Sequence, residues 1–103
     1  MYTISFYVPE KDKERVKMAM FHAGAGKIGN YDQCCFEYKG QGQFRPLTGS
    51  KPHLGNENQL EYVEEYKVEM VVLDSFVKAV IAAMKNAHPY EEVAYHVIKC
   101  EEL

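Results

Sequence analysis

The sequence predicts an α+β sandwich of order βαββαβ, a four-stranded antiparallel sheet carrying two helices on one face. Three observations point there. Residues 2–23 align without a gap on residues 66–87, an offset of 64, with six identities over 22 positions: Tyr2/Tyr66, Val8/Val72, Val16/Val80, Ala19/Ala83, Met20/Met84 and Ala23/Ala87. Each copy changes period from two to about 3.6 part-way along, the signature of a strand followed by a helix. Each copy then runs into a punctuated segment, Gly24-Ala25-Gly26 in one and His88-Pro89-Tyr90 in the other, with a further apolar run beyond it.

The first strand spans residues 2–8, where Ile4, Phe6 and Val8 alternate with more polar positions and face one side. Pro9 ends it and suits a helix start. Glu10, Asp12 and Glu14 place negative charge in the opening turns, where the helix dipole favours it. Val16, Ala19, Met20 and Ala23 form the apolar stripe, and Gly24 stops the helix. A second strand is expected over Cys34–Tyr38. A turn-rich stretch follows from Gly40 to Asn58, with Gly42, Pro46, Gly49, Pro52 and Gly55 inside it. So long a stretch without periodicity in a small domain points to function.

The third strand is expected over Leu60–Val72, with Tyr62, Tyr66, Val68, Met70 and Val72 on one face. Asp74 is a suitable N-cap for the second helix, whose apolar side is Phe76, Val77, Val80, Ile81 and Met84. His88-Pro89 ends that helix, because the residue before proline is driven out of helical geometry. The last strand is expected over Val93–Cys100. Both helices must cover one face of the sheet, which leaves the other for water or a second subunit. The face carrying Tyr62 and Tyr66 reads either as core or as interface.

A chain of 103 residues, 47% apolar and 26% charged, is expected to form one domain over 1–103. A net charge of −3 gives no pull towards nucleic acid, and no apolar run approaches the length of a membrane span. Three cysteines, two of them adjacent at Cys34 and Cys35, make a poor disulfide framework and no CxxC metal pair, so a reducing cytoplasmic setting is expected.

Three segments carry candidate chemistry. Gly24-Ala25-Gly26-Lys27-Ile28-Gly29 matches GxGxxG by letters, but it follows a helix and leads to a strand, the reverse of a dinucleotide site. It reads as a helix cap and tight turn, or as an anion site built from loop amides and Lys27. His88 with Glu91 and Glu92 joins an imidazole to two carboxylates, a set that binds a divalent cation, or else a helix-to-strand corner with solvated acids. The Gly40–Gly55 stretch is the third. The 64-residue offset sets Gly24 against His88, so the helix-end turns are expected at one edge of the sheet, where they and the long loop form one site. No order of residues suggests an activated nucleophile and no complete metal set is visible, which leaves a small hydrolase with little support.

Two stretches together resemble a known family: HAGAGKIGNYDQCCF (22–36), continuing through GQGQFRP (40–46) and GSKPHLG (49–55), and AHPYEEVAY (87–95). The chain resembles, over nearly its whole length, the PII/CutA-like domain inserted in bacterial proteins of the NGG-interacting-factor-three-like family, which also bear a cyclohydrolase label. That resemblance implies a ferredoxin-like fold and a trimer. It implies no enzyme activity here, because the family's two-metal site lies in flanking domains. The family's characteristic residues map onto Gly24, Gly26, Gly29, Tyr31, Cys34, Gly42, Phe44, Pro52, Gly55, His88, Pro89, Tyr90, Glu91 and Glu92. The leading expectation is a non-enzymatic, homo-oligomeric binding or regulatory module. Its ligand site is drawn from Gly24, Gly26, Lys27, Gly29, Tyr31, Gly42, Phe44 and Tyr90. The alternative is a divalent-metal-binding protein, similar to CutA, using His88, Glu91 and Glu92.

Overall fold

The structure, a computed structural model, describes residues 1–103. Strand β1 (Tyr2–Val8) leads into helix α1 (Glu10–His22); strands β2 (Phe36–Phe44) and β3 (Glu61–Val72) follow. A 3-10 turn (Asp74–Phe76) then enters helix α2 (Val77–Ala87), and strand β4 (Tyr95–Lys99) closes the chain. The sheet order is β2-β3-β1-β4, every neighbouring pair antiparallel. This is the ferredoxin-like arrangement, with each helix crossing over one intervening strand.

The repeat explains the core. Ile4, Phe6, Val8, Val16 and Met20 from the first copy are fully buried, and so are their counterparts Val68, Met70, Val72, Val80 and Met84. The β1/β3 register runs from Tyr2↔Val72 to Val8↔Tyr66, so the copies lie head to tail about a pseudo-twofold axis. Burying these side chains between sheet and helices supplies the main driving force, about 1.5–3 kcal/mol for each large apolar side chain.

Several expected boundaries move. β2 begins at Phe36 and runs on through Phe44, so the first part of the turn-rich stretch is strand. Gly40 and Gly42 there pair with Glu65 and Val63, and the ladder tolerates the glycines because β2 is an edge strand. Cys34 and Cys35 precede the strand, and all three thiols are free. β4 starts at Tyr95, two residues late. Asp74 caps nothing; its carboxylate accepts a hydrogen bond from the Met1 ammonium at 2.5 Å, and helix entry passes through the 3-10 turn.

Two further placements matter for function. β1 stops at Val8 opposite Tyr66, while the β2–β3 pairing continues to Phe44↔Glu61. Residues 40–44 and 61–65 therefore project as a two-stranded ribbon, and the molecule measures 46 × 25 × 24 Å. Tyr66 shares the helix side of β3 with Val68 and Met70, and the Lys13 ammonium lies 3.9 Å from its ring centroid. The aromatic side chains of the open face include instead Tyr7, Phe36, Tyr38 and, on the ribbon, Phe44. No helix is long and apolar enough to cross a membrane.

Candidate functional site

The two helix-end turns do not share an edge. Because the copies pair antiparallel, α1 runs away from the Val8 end of β1 and α2 runs back towards it. The Gly24–Tyr31 turn lies at the Val71 end of β3, where the Gly26 N–H donates to the Val71 carbonyl at 2.8 Å. The His88–Glu92 corner lies at the opposite end, beside Tyr7. The expected three-part site thus loses Gly24, Gly26, Lys27, Gly29 and Tyr31. They form a separate closed turn in which Ile28 and Tyr31 exchange both backbone hydrogen bonds at 2.9 Å.

Gly26 holds that turn, with φ +79°. A Cβ there would stand 2.8 Å from the Phe21 ring and 2.9 Å from the Cys34 carbonyl oxygen. Glycine is required for both reasons, left-handed backbone and close approach.

The loop after β2 and the His88–Glu92 corner do meet. The loop is closed at its neck by the Asn58 N–H donating to the Pro46 carbonyl at 2.6 Å. Its middle is pinned by the Lys51 N–H, which donates to both carboxylate oxygens of Glu91 at 3.1 and 3.0 Å. Between loop, corner and the open face of the ribbon lies a cleft of about 430 Å³. Phe44, Pro46, Leu47, Pro52, Leu54 and Val63 give it apolar walls; Tyr7, His53 and Tyr90 add rings, and Arg45, Glu65, Glu91 and Glu92 add charge. That combination, apolar walls with a few convergent polar groups, is the usual make-up of a small-molecule site.

His88 builds this site from behind. The Tyr90 N–H donates to His88 Nδ1 at 3.1 Å, so the ring proton must sit on Nε2, which donates to the Tyr7 carbonyl at 2.7 Å. The side chain is buried, and burial lowers its pKa against the opposing pull of the Tyr7 carbonyl. Both ring nitrogens are committed within the protein, and Glu91 is committed to Lys51. The expected metal set of His88, Glu91 and Glu92 therefore does not converge, and no three His, Cys, Asp or Glu side chains elsewhere form a metal-holding group. Arg15 tightens the same corner by donating Nε and Nη2 to the Ala87 carbonyl at 3.1 and 2.9 Å, satisfying an acceptor left free at the α2 terminus. Its Nη2 also meets buried Asp12 at 2.9 Å.

The position of Tyr90 in the cleft brings its hydroxyl to Glu65, donating to Oε2 at 3.3 Å. Burial raises the Tyr90 pKa strongly, and the Glu65 charge raises it further. Burial also raises Glu65, partly offset by that hydrogen bond. Sequence reasoning missed Glu65, together with Tyr7, Arg45 and His53. The one available signal was a carboxylate opposite a glycine across the ribbon. The Gly42↔Val63 and Gly40↔Glu65 register leaves open space, and Glu65 Oε1 fills the place a Cβ on Gly42 would take. Gly42 contributes room for that carboxylate; Phe44 and Tyr90 line the cleft itself.

No protein-family profile matches the chain. It is 46% identical over 99 residues to a GTP cyclohydrolase 1 type 2 homolog of Bacillus subtilis, covering 96% of this chain and 26% of that protein. To the protein of the same name from Mycobacterium tuberculosis it is 43% identical over 91 residues, covering 88% and 24%. The chain thus spans about a quarter of the length of the curated relatives it matches. Among solved structures, a Bacillus cereus protein related to NIF3 superposes with a TM-score of 0.85 at 42% identity, over 98% of this chain and 26% of that one. The divalent cation tolerance protein CutA of Archaeoglobus fulgidus superposes with a TM-score of 0.71 at 16% identity over 99% and 86%, a likeness of fold. Sequence and fold agree: the chain matches the CutA-like, ferredoxin-fold domain of NIF3-related proteins.

Proposed function

We propose that the chain is a non-enzymatic, homo-oligomeric binding module that takes a small organic ligand in the cleft between the 45–60 loop, the ribbon and the His88–Glu92 corner. One observation carries the reading: a cleft of about 430 Å³ with apolar walls, lined also by Arg45, Glu65 and Tyr90. Glu91 fixes the loop through Lys51, and His88 fixes Tyr90 from behind. Cyclohydrolase chemistry, named for the full-length relatives, is not assigned to this domain, because its polar groups include no activated nucleophile and no metal-holding cluster.

Assembly is proposed as a trimer on two grounds. The open sheet face presents Phe36, Tyr38 and Ile98, which are 67%, 47% and 58% exposed. The ribbon of residues 40–44 and 61–65 has no third strand from its own chain, and isolated two-stranded ribbons are marginal in water. A neighbouring copy would cover both.

The test is an amide-resolved NMR screen of small organic molecules against the isotope-labelled protein. Ligands are expected to shift Val63, Tyr90 and Ala94 together. Hits that map to the Gly24–Tyr31 turn, or no hits at all, would overturn the cleft as the site.

A further inference from the structure

We infer that the cleft selects an organic cation, an ammonium or guanidinium head on an apolar body, with Glu65 as the counter-charge; this rests on the cleft being the ligand site. Glu65 stands on β3 where the cleft meets the smaller hollow beside Tyr38 and Lys67. It has no cation of its own. The lysines on neighbouring positions are directed elsewhere, Lys39 to Glu64 at 3.6 Å and Lys67 to Glu69 at 3.4 Å. The Tyr90 hydroxyl, a neutral donor, is the hydrogen bond its carboxylate accepts from the cleft. A half-buried carboxylate without a cationic partner is costly to desolvate, and a ligand cation would supply that partner.

The surroundings favour the same sign. Three glutamates, Glu65, Glu91 and Glu92, line the cleft against one arginine, Arg45. Tyr7 and Tyr90 add aromatic rings to the wall, and the faces of such rings attract a cation. Leu47, Leu54 and Val63 provide the apolar surface for the body of the ligand. Gly42 is part of the device, since any larger residue would displace the Glu65 carboxylate from its place across β2.

Three probes with one body and different heads decide it: phenylbutylamine, phenylbutanol and phenylbutyrate, titrated by calorimetry and by amide shifts at Val63, Tyr90 and Ala94. The amine is expected to bind at least about tenfold more tightly than the alcohol, the worth of one charge-assisted hydrogen bond, and the carboxylate more weakly than either. Glu65→Gln should bring amine and alcohol to within about twofold of each other, chiefly by weakening the amine. Gly42→Ala should do the same without removing charge, and thermal unfolding of both variants confirms that they fold. Equal affinity for all three probes would overturn cation selection and leave the cleft as a binding site. Tightest binding of the carboxylate would overturn it in favour of an anion held by Arg45. Failure of all three probes to shift the cleft amides would overturn the inference and the site together.

Discussion

His88 Nε2 donates to the Tyr7 carbonyl at 2.7 Å, and the pseudo-symmetric carbonyl, Val71, receives the Gly26 N–H at 2.8 Å. The offset of 64 maps Tyr7 onto Val71 and Gly26 onto Tyr90. Each copy therefore ties the segment after its helix to the outgoing strand of the other copy. One uses backbone alone, and needs glycine to come close enough. The other inserts an imidazole, which holds the chain further out and directs Tyr90 into the cleft.

Replacing that imidazole should show as lost stability. His88→Ala leaves the Tyr7 carbonyl and the Tyr90 N–H without partners and should cost about 1–3 kcal/mol in denaturant titration. The His88 pKa is lowered by burial, so the unfolded chain binds the proton more readily. Its contribution is then complete above the ordinary imidazole range near pH ~6.5 and is lost as pH falls through the lowered folded value. The wild-type-minus-variant stability difference should shrink on acidification. A difference that grew instead would mean that the ring is protonated in the fold.

At the opposite end, Gly26→Ala should cost more than Gly29→Ala. Both glycines have positive φ, +79° and +57°, so each alanine carries a backbone penalty of about 1 kcal/mol. At Gly29 nothing lies within 4 Å of the new Cβ, whereas at Gly26 it meets the Phe21 ring and the Cys34 carbonyl oxygen. Gly26→Ala should lose about 1–3 kcal/mol more by overpacking. Ala25 beside it is 1% exposed and belongs to the core, so Ala25→Val should overpack as well. Equal unfolding midpoints for the two glycine variants would count against the close approach.

Glu37 joins β2 to α1 by accepting from Lys13 and from Lys17, the latter at 2.7 Å. Burial pushes its pKa up, but the two lysine hydrogen bonds outweigh burial and hold it below the ordinary carboxylate range. Its stabilisation is therefore full above the unfolded pKa and is lost as pH falls through the lower folded one. Glu37→Gln should cost about 1–2 kcal/mol at neutral pH, since the side chain is about three-quarters covered rather than fully exposed. In strong acid the two proteins should converge in thermal unfolding. A constant gap down to the acid limit would assign the loss to packing.

Tyr66→Asp and Tyr38→Asp should fail differently. Tyr66 lies on the helix side under Lys13, so a carboxylate there should lower the unfolding midpoint. Tyr38 lies on the open face, so the same change should leave the fold intact and shift a trimer towards monomer in light scattering. A wild-type monomer at micromolar concentration would remove the trimer.

The sequence by itself determined the architecture and the core. Period-two alternation at Ile4, Phe6 and Val8, and its echo at Val68, Met70 and Val72, specify which strand faces are buried. Hydrophobic periodicity is a local property, so it can be read along one copy without the other. The strand after Tyr38 stayed hidden because Gly40 and Gly42 carry no periodicity, and the β3 partner supplies the pairing that keeps them extended. Only tertiary structure decided which residues share the cleft. An offset of 64 says that Gly24 and His88 are equivalent, but the antiparallel pairing of β1 and β3 sends equivalent points to opposite ends. The cleft joins Tyr7, a 16-residue loop segment (45–60), Glu65 and Tyr90, whose separations in sequence no local pattern encodes. His88 shows the same limit: its residue type suggests a ligand, and only its two hydrogen bonds reveal a positioning residue.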